Sequence, residues 1–285
     1  MRTLAMVTLA LCAATATGAA QARQMDDSFG WSGRIAAGGT LRIENLAGRV
    51  TVQPSSNGRI QIAGRKEWRR GDPDDVSFEV IPGSNVVTVC AVWFDGGCGE
   101  RRADNADRAR GADRERSTDV SVTFTVALPP GVNLDVRGVS ADIDVTGVSG
   151  DISTHSVSGN VSLSDVSGDV QSSSVSGDVN VRGGTLGTIT ANSVSGDVIV
   201  AADELSGAGD LVFTTVSGNV DATLPSGIAA DVQMSTVSGE LTSEFPVSIL
   251  GGARNSNRSL RGRIGRGGRS LKFTTVSGDV LLRQR

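Results

Sequence analysis

The chain has no tyrosine, a single histidine (His155) and only three cysteines among 285 residues, and aromatic residues make up 4% of it. So few ligand side chains exclude a His-rich metal centre, and a Ser-His-Asp triad would have to run through His155 alone. No Gly-x-Ser-x-Gly elbow occurs. Gly262–Gly268, though glycine-rich, lacks the Lys-Ser/Thr pair of a phosphate loop. Between Phe124 and Phe213 there is no aromatic residue, so the middle of the chain has no sugar-stacking platform. Helical apolar stripes are also missing. Cations are scarce where anions are plentiful: residues 148–245 hold one basic and 12 acidic side chains, whereas residues 246–285 hold nine basic and one acidic.

Long apolar text is confined to the start. Arg2 precedes the uncharged run Leu4–Ala20, and Ala20-Gln21-Ala22 forms an A-x-A site, so cleavage is expected after Ala22. The run is too short to span a bilayer. Cys12 follows Leu9-Ala10-Leu11, with a large residue where a lipoprotein site needs a small one. These features predict an exported protein of the periplasm, cell surface or medium, with no transmembrane segment in the mature chain. In an oxidising compartment, Cys90 and Cys98 on either side of Gly96-Gly97 are expected to form a loop-stapling disulfide. The alternative is two separate buried thiols.

What the chain does contain is repetition. The phrase Val-Ser-Gly-(Asp/Asn/Glu)-(Val/Ile/Leu) begins at Val148, Val157, Val166, Val175, Val194, Val216, Val237 and Val276. Its early spacing is nine residues and its later spacing about twice that, so one coil of about 18–22 residues fits if nine residues make half a turn. The last gap, Val237 to Val276, reads as about two coils. Apolar residues alternate on both sides of the phrase, as in Leu211 and Phe213 before Val216, and Val220 and Ala222 after it. Period two means strand. The predicted corner glycines are Gly150, Gly159, Gly168, Gly177, Gly196, Gly218, Gly239 and Gly278, placed where the backbone must bend. Weaker copies at Leu46–Val50 and Val139–Ile143 extend the register toward the N-terminus.

The expected fold is therefore all-β: a β-solenoid, like a parallel β-helix, with an irregular β insertion in its N-terminal half. Residues 1–22 are the signal peptide. Residues 23–147 form an N-terminal β region with a cap, early coils and a mobile polar loop over 100–118. Residues 148–285 form the repetitive solenoid with a basic segment over 254–269. Strands are expected near 75–81, 85–94 and 118–128. Residues 23–40 and the C-terminal region are expected to cover the ends of the stack, since an open coil is a sticky edge.

Several motifs have two readings. The acidic residue after each glycine invites calcium, but the Gly-Gly-x-Gly-x-Asp pattern is missing, and a polar residue capping its own turn fits better. Arg254, Arg258, Arg261, Arg263, Arg266 and Arg269 either contact an anionic surface polymer or lie against the protein's own acidic coils. His155 reads as a solvated surface residue, and Trp31, Trp68 and Trp93 read as core or cap. No catalytic, cofactor-binding or metal-binding residue is assigned. A polysaccharide-active enzyme on this scaffold would need a unique carboxylate cluster, whereas these acids recur in every coil.

The opening Leu41–Val52, the crossing Leu128–Val136, the Val-Ser-Gly-Asp-Val phrases and the closing Ser270–Leu282 together resemble the bacterial putative-adhesin family. That family comprises exported proteins built on a domain of unknown function. The resemblance implies a β-solenoid, an envelope location and a structural or adhesin-like binding role without catalysis. It names neither a cofactor nor a partner, so an envelope protein and an anionic surface polymer both stand as candidates. An enzyme acting on polysaccharides, or an envelope-stress or assembly accessory, is the alternative.

Overall fold

The computed structural model describes residues 27–94, 96–99, 118–249, 256 and 258–285. The signal segment with Ala22, residues 100–117 of the polar loop and Arg254 lie outside the described residues. The remainder is strand joined by turns, with one short 3-10 turn at Pro73–Asp75, and among the described residues no helix is long and apolar enough to cross a membrane. The N-terminal strands are β1 (Ser28–Gly33), β2 (Thr40–Pro54), β3 (Ile60–Glu67), β4 (Val76–Pro82), β5 (Val86–Trp93) and β6 (Ser121–Leu128). The repeats supply β7 (Asn133–Thr146), β8 (Ile152–Ser156), β9 (Val161–Ser174), β10 (Val179–Asn192), β11 (Val198–Leu205), β12 (Leu211–Thr214) and β13 (Val220–Leu224). The chain ends with β14 (Ala230–Ser235), β15 (Leu241–Ser243), β16 (Val247–Ile249), β17 (Ser259–Ile264), β18 (Arg269–Thr274) and β19 (Val280–Gln284).

The long strands bend at corners, so each contributes to two faces of a flattened β-solenoid. One face stacks Leu134, Ile152, Val170, Ile189 and Leu211 in parallel register; the other stacks Ile143, Val161, Val179, Val198 and Val220. Alternate residues point inward because successive side chains on a strand face opposite ways. The two inward sets meet in one continuous core. Where an inward column reaches Thr154 and Ser172, their hydroxyls bond each other at 2.8 Å, which offsets the cost of burying them.

Coil order departs from chain order at both ends. β2 lies between β7 on one side and the pair β5 and β6 on the other. Toward the other end, β18 and β19 insert between the coil of β12 and β13 and the coil of β14 and β15. The 39-residue gap before Val276 is thus an excursion and return, not two coils laid down in sequence. The C-terminal strands are consequently interior, which corrects the expectation that the whole C-terminal region covers an end. The covers are antiparallel: β3 lies on β6, β4 on β5 and β1 on β3, while β17 lies on β14 and β16 on β17. Antiparallel strands stop the stack from accepting another identical coil.

The valine of the repeated phrase has two fates. Val148 and Val166 are 2% and 0% exposed, whereas Val157, Val175, Val194, Val216 and Val276 are 37–43% exposed and Val237 is 62% exposed. Nine residues being half a turn, successive early copies occupy opposite corners, one folded inward and the other outward. The inward stacking comes from the strand residues and not from the phrase valine at the second corner.

Candidate functional site

The recurrent corner residues are held by hydrogen bonds between coils. The carboxylate or amide Oδ1 of Asp142, Asn160, Asp178, Asp197, Asn219 and Asp279 accepts the backbone N–H of Asn160, Asp178, Asp197, Asn219, Asp279 and Glu240 in turn, at 2.7–3.1 Å. The acidic residue therefore caps the coil stacked upon it and not its own turn. A second series runs beside the first. Ser156, Ser174, Ser193, Thr215, Thr275 and Thr236 donate their hydroxyls to the carbonyls of Ala141, Gly159, Gly177, Gly196, Gly218 and Gly278, at 2.8–3.1 Å. Asp or Asn suits the first series because both present an acceptor at the same reach.

The corner glycines serve two different needs. Gly150 and Gly168, at the inward-valine corner, have φ of +146° and +118°, a region other residues avoid. At Gly159, Gly177, Gly196, Gly218, Gly239 and Gly278 no such φ occurs. There a Cβ would run into the carbonyl oxygen of the corner residue in the neighbouring coil. Close approach of two backbones, not bending, accounts for glycine at those six positions.

Of the arginines assigned to the basic segment, Arg269 is buried. Its guanidinium donates to the carbonyls of Ser206 (2.9 Å) and Gly207 (2.6 Å), and burial pushes its pKa down. It fastens β18 to the turn after β11. Arg263 donates to Asp231 at 2.9 Å, and with the Gly268 N–H it holds that carboxyl below its ordinary value of 3.8. Arg258, Arg261 and Arg266 are exposed. His155 is exposed, its Nδ1 paired with Ser173 Oγ at 2.8 Å. Trp93 is buried and donates its indole N–H to the Val120 carbonyl, while Trp68 is exposed.

A cleft lies near the N-terminal end, where β5 overruns its neighbour. β5 pairs with β2 only as far as Cys90 opposite Glu44, because β2 then turns its corner, yet β5 continues beside β4 through Ala91, Val92 and Trp93. A Cys90–Cys98 disulfide, with Cα atoms 5.6 Å apart, brings Gly96, Gly97 and Gly99 back against this overhang. Between the overhang and the corner residues Leu46, Val139 and Val157 is a space of about 660 Å³. Its polar wall is a charge mosaic. Asp135 accepts from Arg42 Nε at 2.7 Å and from Arg137 Nε and Nη2 at 3.2 Å, while Glu44 accepts the Gly99 N–H at 3.3 Å. Register places Arg137 between Glu44 and His155.

Asn45 closes the cleft. It is in register with Gly138, in the column where the coils from Ser156 onward have Ser or Thr; its Nδ2 donates to the Val122 carbonyl at 2.8 Å, and its buried Oδ1 has no hydrogen-bond partner among the described residues. Leu46, Val139 and Val157 open copies of the phrase and Cys90 belongs to the expected disulfide, but no motif joins them to Arg42, Glu44, Asn45 or Arg137. The signal available was the replacement of the usual hydroxyl by an amide at position 45.

No curated protein matches the chain. Solved structures similar to it include the following two. A "putative adhesin" from Bacteroides fragilis has 13% identity, covers 90% of this chain and 97% of its own, and gives a TM-score of 0.44. A "putative cell adhesion protein" from Clostridium sporogenes has 9% identity, covers 90% of this chain and 100% of its own, and gives 0.37. The family model described as Toastrack DUF4097 matches residues 133–283, the stretch from β7 into β19 and more than half of the chain, and the protein belongs to that family.

Proposed function

We propose that the protein is an exported, non-catalytic β-solenoid that serves the bacterial cell envelope as an adhesin-like binding module. The observation that carries this reading is the corner series: the acids that recur in coil after coil are engaged in capping the next coil's N–H. Their job is architectural, and the side faces of the stack stay open for contact. Export is supported by the leader Leu4–Ala20 with its Ala22 site and by a disulfide suited to an oxidising compartment. Residues 23–147 act as cap and cleft, and residues 148–285 as the repetitive body. Exposed Arg258, Arg261 and Arg266 offer a contact for an anionic surface polymer, with Arg263 and Arg269 serving the fold.

Fractionating cells and sequencing the mature N-terminus tests the location, with Arg23 as the expected first residue. Purified mature protein should then sediment with envelope preparations. Replacing single carboxylates and assaying glycan cleavage tests the absence of catalysis. One acid essential for turnover would overturn the reading, as would recovery of the uncleaved chain in the cytosol.

A further inference from the structure

We infer that the exposed valine ridge at the second corner pairs with the same ridge of a second copy of this chain, the two stacks lying side by side and parallel about a two-fold axis along the stack. The inference is independent of the envelope-binding reading. Six of the eight exposed large hydrophobic side chains among the described residues stand in one column: Val157, Val175, Val194, Val216, Val276 and Val237, in coil order. The backbone fixes that column, since Ser176, Ser195, Ser217, Ser277 and Ser238 each donate their N–H to the valine carbonyl of the neighbouring coil. Folding leaves these valines uncovered, and a contiguous apolar strip marks a contact surface. From Val175 onward the strip lies outside the cleft lining.

Pitch, shape and charge identify a second copy as the occupant. Successive valines are one strand spacing apart, about 4.8 Å, so the six span about 24 Å. An extended peptide laid along them repeats its side chains every ~6.7 Å, and a helix every ~5.4 Å, so either falls out of step. Another stack of the same kind keeps step throughout. Beside the valine column runs a column of exposed serines, from Ser158 to Ser238, so a ridge lies next to a groove. A two-fold axis along the stack seats each ridge in the other copy's groove, a self-complementary contact. An axis across the stack would set valine on valine.

The flanks select the same axis. On one side the column from Ser173 to Ser235 offers uncharged hydroxyls and an amide; on the other stands the acidic series from Asp178 to Glu240. The axis along the stack brings Ser173 to Asp178 of the other copy, Asn192 to its Asp197 and Thr274 to its Asp279. Donors then face carboxylates that retain acceptor sites beyond their capping bond. The crosswise axis would oppose acid to acid. A strip of about 24 Å by about 10 Å buries roughly 500 Å² over both copies, below the about 1,200 Å² of a stable complex, so the pair is weak and reversible.

The test uses the full mature chain with its disulfide intact, sedimented in the analytical ultracentrifuge up to about 1 mM, the range of weak encounters. The parent should pass reversibly from monomer to dimer. Val194→Arg and Val216→Arg, both at exposed positions, should weaken the dimer at least tenfold. Gln171→Arg adds the same charge at an exposed site on the flat face and should leave it unchanged. Unaltered circular dichroism and melting temperature show that the variants fold. Independently, Ser176→Cys should be joined to its own twin by a short bismaleimide, and Ser195→Cys likewise, because the parallel pair sets each coil against the same coil of the other copy.

The inference fails if the parent stays monomeric at every concentration, or if V194R and V216R dimerise as the parent does. It fails too if Ser176→Cys is joined only to a cysteine placed in another coil, such as Ser277→Cys, which is the signature of the crosswise pair. A monomeric parent whose sedimentation with envelope preparations is lost in V194R would assign the ridge to a different partner, and it would overturn the inference equally.

Discussion

The rings of Phe213 and Phe273 lie 5.1 Å apart, centroid to centroid, in neighbouring coils. On its other side Phe273 is in register with Met234, which precedes it in the chain. The column Ala191, Phe213, Phe273, Met234 is thus ordered by insertion and not by sequence. Phe273→Ala should cost about 3–5 kcal/mol, because it opens a cavity at a fully buried site flanked by two large side chains. Removing residues 269–285 should do more, parting the coil of β12 and β13 from that of β14 and β15. The expected result is a lower melting temperature with loss of a single cooperative transition, read by calorimetry, and association in size-exclusion chromatography. A truncated chain that melts as the parent does would contradict the observed coil order.

Gly196→Ala should destabilise by about 1–3 kcal/mol, since its Cβ would collide with the backbone carbonyl of Gly177. Gly227→Ala is the matched control. Nothing lies within 4 Å of the added carbon there and φ is unremarkable, so the change should stay within about 0.5 kcal/mol. Urea denaturation of both variants measures the contrast.

The phrase valines offer a second matched pair. Val166→Ala removes two buried methyl groups and should cost about 2 kcal/mol. Val175→Ala, at 38% exposure in the identical phrase, should cost well under half of that. Equal losses would mean that the two corners are not folded in opposite senses.

Acid should loosen the C-terminal cover. Asp231 is held below its ordinary 3.8 by Arg263 first and by the Gly268 N–H second. A depressed pKa contributes stability that is present above the unfolded value and is lost as pH falls through the folded value. Exchange protection of β17 should therefore fall between about pH 5 and about pH 2, and Asp231→Asn should flatten that dependence. Asp119, lowered chiefly by the Gly71 N–H, adds to acid sensitivity at the other end.

The strands were legible because alternation is a local property. Leu211 and Phe213, or Val220 and Ala222, announce an inward face with no knowledge of their neighbours. The corners were legible as positions, but their chemistry was not. Whether an Asp caps its own turn or the next coil depends on which backbone N–H lies 2.9 Å away, and that is decided by stacking. Coil order was hidden for a related reason. Near-identical phrases make any coil a plausible partner for any other, so spacing cannot reveal that Val276 belongs between Val216 and Val237. The cleft left still less trace. Asn45, Ala91 and Arg137 come from three strands and Val157 from the corner after a fourth, and they meet only because β5 outruns β2.

The inserted final coil has a consequence for how the molecule is made. As the polypeptide emerges from its N-terminal end, β14 and β15 appear while their true neighbour is still unsynthesised, and β12 and β13 wait with naked edges. Residues 269–284 therefore reach the fold only after β14 and β15 have been made, and they join the coil of β12 and β13 to that of β14 and β15. Until they arrive, the half-built structure is most open to capture by another copy of itself or by a chaperone.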